Sequence, residues 1–381
     1  MLLIFLKNLK NKKYLLLCLL ATQYIYMYAQ KGLELESTFQ YGHIFKQNTK
    51  IIFPSPKTTN GLELDIRYQT YGKKDWHAFQ HYPALGCAFI YYNLGDDQVL
   101  GKAFGFVPHV KLPLYRSRLL QLYAQFGFGI GYITKHFDQV ENPTNNAVGS
   151  AVNNCSNFQL RSEWRLLPKF KAIVGGSFTH FSNGASQLPN LGINIPAIQL
   201  GVQYSPTPVP DDARLPSSTS KAATRRWALN THFDMAYRES MVARGPRYPI
   251  YIASLGGMYH WNKINRLTFG AEYEQHTDVR DFGLFLGEFK TKSEAQFHSS
   301  RVMAFVGNEF LFGDWSFTIQ TGAYIANKNW YLNGYKLYNK IGMRYYLPPI
   351  GKPATRFYVG LYMKAHRIVA EYIALGAGAT F

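Results

Sequence analysis

The run Ser177-Phe178-Thr179-His180-Phe181-Ser182-Asn183-Gly184 sets a histidine and a serine two residues apart. In an extended strand successive side chains point to opposite faces, so His180 and Ser182 share a face with Phe170, Ala172, Val174, Gly176 and Phe178. A serine hydroxyl becomes a nucleophile when a neighbouring base takes its proton, and imidazole is the usual base. The pair therefore reads as nucleophile and base at the end of an apolar stripe, and attack on an acyl carbonyl is the chemistry it fits. The base needs a third group to fix its tautomer. That group is expected from the following strand, where Asn194 heads the outward set Pro196, Ile198, Leu200, Val202 and Tyr204. Backbone N–H groups at Asn183 and Gly184, with the Asn183 amide, are the expected oxyanion donors.

The opposite face of the same run, with Lys171, Gly175, Ser177, Thr179 and Asn183 among its residues, is the more polar one. Apolar towards lipid and polar towards a lumen is the pattern of a transmembrane barrel strand. A polar pair on the lipid side is costly and calls for a functional reason. Alternation of this kind recurs in sixteen segments, eight between residues 32 and 204 and eight between 226 and 381. The fifth is the clearest: Leu120, Leu122, Ala124, Phe126, Phe128, Ile130 and Tyr132 alternate with Gln121, Tyr123, Gln125, Gly127, Gly129 and Gly131. Aromatic residues make up 16% of the 381, charged residues only 17%, and no apolar run after residue 30 is long enough for a membrane helix. The expected fold is all-β, a transmembrane antiparallel barrel of about sixteen strands, most simply one closed wall. An eight-stranded barrel followed by a separate C-terminal β-domain is the alternative, and a soluble β-sandwich is the plainer one.

The organisation expected is a secretory leader over 1–30, a first barrel half over 31–204, a Pro/Ser-rich linker over 205–224 and a second half over 225–381. The leader holds Lys7, Lys10, Lys12 and Lys13 ahead of the apolar run from Tyr14 to Leu20. With the N-terminus on the inner side, connections after odd strands are the long outer ones, as 239–248, 276–299 and 327–339 are, against turns at 262–263 and 313–314. The stretch 72–82 departs from this as a long inner turn. By the same count His180 and Ser182 stand at the outer end of the seventh strand and meet the outer leaflet.

A formal net charge of +18 points to an anionic partner, and for an exported chain lipid phosphates are nearer to hand than nucleic acid. Lys46, Lys50, Lys57, Lys135, Arg244, Arg247, Lys290, Lys292 and Lys336 fall in the expected outer loops. Beyond the leader the cysteines are Cys87 and Cys155, a disulfide or two free thiols. His77 and His81 have helical spacing, but no carboxylate or thiol joins them, so neither metal nor cofactor is expected. Lys364-Ala365-His366 echoes Phe178-Thr179-His180. There the apolar alternates Phe357, Val359, Leu361, Met363 and Ala365 turn His366 to the lumen.

The run His180-Phe181-Ser182-Asn183-Gly184, followed by Pro189-Asn190-Leu191-Gly192-Ile193-Asn194, resembles the signature of the PagL-type outer-membrane lipid A 3-O-deacylases. The resemblance covers about residues 32–204 and implies an eight-stranded barrel whose His-x-Ser-Asn motif ends a late strand facing the membrane. It implies His180 as base, Ser182 as nucleophile and Asn183 near the oxyanion. The family's acid falls where this chain has Asn194. The second half is similar to the C-terminal extension of longer proteins described as acyloxyacyl hydrolases. The function implied is a hydrolase that removes an ester-linked acyl chain from lipid A by a Ser-His mechanism, with lipopolysaccharide and membrane lipid as partners in the cell outer membrane. The competing function is a non-catalytic barrel, a porin-like channel or a structural protein.

Overall fold

The computed structural model describes residues 31–381 except 48, 54, 217–225, 240–242, 328–334, 352–354 and 368. The expected leader and the later part of the linker lie outside the described residues. Among the described residues sixteen strands carry the fold. The first eight are β1 (Leu33–Gly42), β2 (Thr59–Gln69), β3 (Ala84–Asn93), β4 (Lys102–Arg116), β5 (Leu120–Ile133), β6 (Val152–Leu167), β7 (Phe170–Ser182) and β8 (Ile193–Tyr204). The second eight are β9 (Trp227–Glu239), β10 (Arg247–His260), β11 (Asn265–His276), β12 (Ser300–Phe312), β13 (Trp315–Asn327), β14 (Leu337–Tyr346), β15 (Arg356–His366) and β16 (Val369–Thr380).

These strands close as two antiparallel walls of eight, which replaces the simpler expectation of one wall of sixteen. β8 returns to β1, with Leu35 opposite Tyr204 and Gly42 opposite Ala197. β16 returns to β9, with Ala374 opposite Ala236 and Thr380 opposite Asn230. What fills the walls explains the outcome, because an eight-stranded interior is just wide enough for side chains to meet across it. In the first barrel Arg67 donates to Glu34 at 2.8 Å and to Asp65 at 2.7 Å, and also reaches Glu36. Lys111 and Lys171 both hold Glu163. In the second, Lys340 meets Glu272 at 2.6 Å, Lys364 meets Glu274 at 2.6 Å and Arg301 meets Glu371 at 2.7 Å. A wide lumen would leave these charges to water; here they are buried and pair with one another. Among the described residues both interiors are thus occupied by paired charged side chains.

Outward positions are apolar at every second residue, as with Leu62, Leu64 and Ile66 on β2 and Phe357, Val359 and Leu361 on β15, all exposed. This is the band that lipid covers. The two barrels touch at several levels. Phe128 stacks on Phe317 with ring centroids 5.6 Å apart. At the inner end, the long 72–82 connection holds a short helix, α1 (Asp75–Phe79). Trp76 stands edge-on to Phe312 at 6.4 Å, and Gln80 donates to the Leu311 carbonyl at 2.8 Å. The unusual length of that inner turn is thus used to bracket the second barrel. Burial, and then the charge of Lys74, pulls the His77 imidazole down to about 4, so it packs there as a neutral ring. The outer connection between β11 and β12 forms two helices, α2 (Thr277–Phe285) and α3 (Lys292–His298). Thr291 caps α3 by accepting the Glu294 N–H at 3.1 Å.

Candidate functional site

β7 and β8 pair with His180 directly opposite Asn194 and Phe181 opposite Ile193. Residues opposite each other in an antiparallel pair share a face, so the register alone brings Asn194 beside the imidazole. Ser182 ends β7 on that face. Phe170, Val174 and Phe178 below it are exposed, whereas Ile173, Thr179 and Phe181 point inward and are buried. Behind the strand ends, Phe181, Ile193 and Ile195 pack with Phe53, Leu100 and Ile133 in an apolar plug. The site therefore rests on rigid backing rather than on a loop.

His180 Nε2 lies 2.9 Å from Ser182 Oγ, and His180 Nδ1 lies 2.6 Å from Asn194 Oδ1. The direction of these bonds follows from the far end of the chain. The Leu191 carbonyl can only accept, and it takes the Gln47 amide N–H. Gln47 Oε1 then accepts from the Asn194 amide, which leaves Asn194 Oδ1 to accept. His180 Nδ1 must carry the proton that Oδ1 receives. Its Nε2 is left with a lone pair aimed at the Ser182 hydroxyl, the tautomer a general base needs. A neutral asparagine thus performs the orienting half of the acid's task, though without a charge to stabilise an imidazolium.

Asn183 and Gly184 follow Ser182 directly, and the Asn183 donors are otherwise engaged. The Asn183 N–H donates to Asn190 Oδ1 at 2.9 Å, and its amide donates to Ser150 Oγ at 2.9 Å and to the Gln187 carbonyl at 2.8 Å. Gly184, at φ +61°, abuts the second barrel, where an added Cβ would fall 2.6 Å from Ile373 Cγ1. The Asn183 N–H and side-chain amide thus point to loop partners rather than to the serine in this arrangement.

Three residues escape the reading of the sequence. Gln47 lies in a loop with no periodicity to single it out. Asn190 lines the small cavity shared by Gln47, His180, Ser182, Leu191 and Gly192. Gly192, at φ +78°, supports the ring from behind, since a Cβ there would stand 2.8 Å from His180 Cε1. The last two belong to the stretch 189–194 that carries the resemblance, which was the available signal.

Below the site a groove of about 820 Å³ runs along the outer wall, lined by Phe126, Leu160, Gly176, Phe178, Pro196 and Ile198, with His43 and Lys57 also on it. Other expected elements are placed elsewhere. Lys46 donates to the Phe53 carbonyl at 2.6 Å and Arg244 pairs with Asp138 at 2.6 Å, so these cations hold loops. Cys87 is exposed and Cys155 buried, both free thiols. The buried carboxylates Glu36, Glu63 and Asp65 lie close enough together for a metal ion, but Arg67, Arg161 and Gln159 already engage them.

Residues 60–203 match the family model described as Lipid A 3-O-deacylase (PagL), and residues 227–381 match that described as Acyloxyacyl hydrolase, C-terminal domain. No curated protein matches the sequence. Among solved structures, Neisserial surface protein A is similar at 8% identity and a TM-score of 0.32, over 45% of this chain and 96% of that one. The outer membrane enzyme PagL is similar at 12% identity and a TM-score of 0.29, over 44% and 99%. Ail of Yersinia pestis is similar at 12% identity and a TM-score of 0.27, over 46% and 98%. Likeness at this level leaves the case for the barrels to their strand pairing.

Proposed function

We propose that this chain, which belongs to the PagL family, is an outer-membrane hydrolase whose first barrel removes an ester-linked acyl chain from lipid A, most simply at the 3-position. The observation that carries the reading is the unbroken relay from the Leu191 carbonyl through Gln47, Asn194 and His180 to Ser182, on the outward face of the wall. A girdle residue has no need of a base-competent tautomer held by two further amides.

Ser182 Oγ attacks the ester carbonyl while His180 Nε2 takes its proton; the same nitrogen returns the proton to the departing alkoxide. Water then hydrolyses the acyl-serine with His180 again as base. Asn190, whose Oδ1 is occupied by the Asn183 N–H, has its amide NH2 left for the oxyanion. The scissile acyl chain lies in the groove past Phe178 and Gly176, so the substrate stays in the bilayer throughout. The lipid A phosphates lie at headgroup level, within reach of Lys57 on that groove.

The test is mass spectrometry of lipid A from cells carrying the wild-type chain or Ser182→Ala in the outer membrane. Loss of one ester-linked chain only with the wild type supports the assignment. Identical acylation in both sinks it and favours a structural role.

A further inference from the structure

The segment 183–192, which joins β7 to β8, carries Asn190 and Gly192 against the nucleophile and base. Its later part is held by the first barrel: Asn190 bridges Val148, and the Gly192 N–H donates to the Ala147 carbonyl at 2.8 Å. Its earlier part is held from the other barrel. Gly184 lies on Ile373 of β16, and the Gln187 side chain accepts from Arg247 at 2.7 Å. Glu239, the last residue of β9, takes this segment at two points. Its N–H donates to the Ala185 carbonyl at 3.1 Å, and its carboxylate accepts the Leu188 N–H. The residue is only 2% exposed, so the carboxylate bonds out of water, where a charge-assisted bond to an N–H is strong. Val369 and Ala370 of β16 also wall the cavity that holds Ser182 and His180.

We propose that the second barrel is a positioning partner for the site in the first, and that Glu239 is the residue through which it acts, a proposal that rests on the esterase reading above. Glu239 touches no reacting atom. It fixes Leu188, two residues before Asn190, and through that short span sets where the Asn190 amide and the Gly192 backbone stand against Ser182 and His180. Without the carboxylate the half-buried Leu188 N–H loses its partner, and the segment is tied at one end only. A displacement of about 1 Å in such a support costs about 10²-fold in turnover.

The experiment uses the full chain in detergent with lipid A as substrate, comparing wild type, Glu239→Ala, Glu239→Gln and Ser182→Ala. Glu239→Ala is expected to lower kcat about 10²-fold while KM stays within about threefold, because the acyl groove is untouched. Glu239→Gln keeps an acceptor oxygen for Leu188 and is expected to recover most of the loss. In parallel, hydrogen exchange of peptides spanning 183–192 should lose protection in Glu239→Ala and regain it in Glu239→Gln. Wild-type kcat or wild-type protection in Glu239→Ala overturns the proposal. If lipid A loss in the wild type does not depend on Ser182, the esterase reading fails by itself, and the exchange measurement still decides whether Glu239 holds the segment. Should Glu239→Ala lose the heat-modifiable gel migration of a folded barrel, Arg247→Ala replaces it, with a smaller fall in the same direction expected and no change overturning the proposal.

Discussion

Two eight-stranded barrels built to the same plan differ at the end of their seventh strands. Both close on themselves, both are filled by ion pairs, and both turn an apolar band outward. In the first, β7 ends with His180 on the outer face, paired with Ser182 and Asn194. In the second, β15 ends with His366 inward and 4% exposed, its Nε2 2.7 Å from the Tyr324 hydroxyl. The ring stacks on Tyr324 and Tyr335. The difference is one of phase. Because the side-chain period of a strand is two, a histidine moved by one residue changes from the lipid side to the lumen. The pairing of β15 with β16 also shifts register at Lys364/Ala365, next to that histidine. What differs between the two barrels is therefore the face their histidine takes and the serine and asparagine that accompany His180 alone, not the architecture.

The comparison is broken most completely by making the first barrel as inert as the second. Ser182→Ala or His180→Ala is expected to cut ester release about 10⁴-fold or more, with heat-modifiable migration intact; a fall under about tenfold would remove the pair from the mechanism. Next in size is a change that should treat the barrels alike. Arg67→Ala and Arg301→Ala each strand buried carboxylates, and each should cost its own barrel about 3–5 kcal/mol in urea unfolding from detergent. A loss near zero in one barrel would mean that its lumen is wet.

Smaller effects sharpen the account of the relay. Asn194→Ala is expected to lower kcat about 10²-fold by freeing the imidazole, and Gln47→Ala about tenfold by releasing Asn194, with KM nearly constant in both. If Gln47→Ala matches wild type across the pH profile, the direction of the relay is set elsewhere. Gly192→Ala puts a methyl against His180 Cε1 at a left-handed φ and should cost about tenfold in kcat. Last, His366→Ala should leave ester release unchanged while removing its bond to Tyr324, which a lipid A mass profile checks. Any dependence of release on His366 would mean that the second barrel joins in the chemistry.

Strand identity was legible because alternation is a local property. The face shared by His180, Ser182 and Phe178, and the side on which Asn194 stands, follow from period two along each strand. Where backbone chemistry interrupts the pattern, the reading stops early. β4 runs on through Pro113 to Arg116, across a register shift at Pro113/Tyr115 that alternation alone does not mark. Number of walls was not legible. Each strand presents the same alternation whether its wall has eight members or sixteen, and only the return of β8 to β1 and of β16 to β9 decides.

By itself, then, the sequence determined the strands, their two faces and the placing of a base beside a hydroxyl on the outward face. Tertiary structure decided the rest. Gln47, in the connection between β1 and β2 and far from β7 in sequence, meets Asn194 only because the wall closes and brings the β1 end against β8. Glu239 reaches Leu188 only because two closed barrels lie side by side. Contacts of this kind have no period and no spacing. They arise from where separate walls come to rest, which no local pattern of residues encodes.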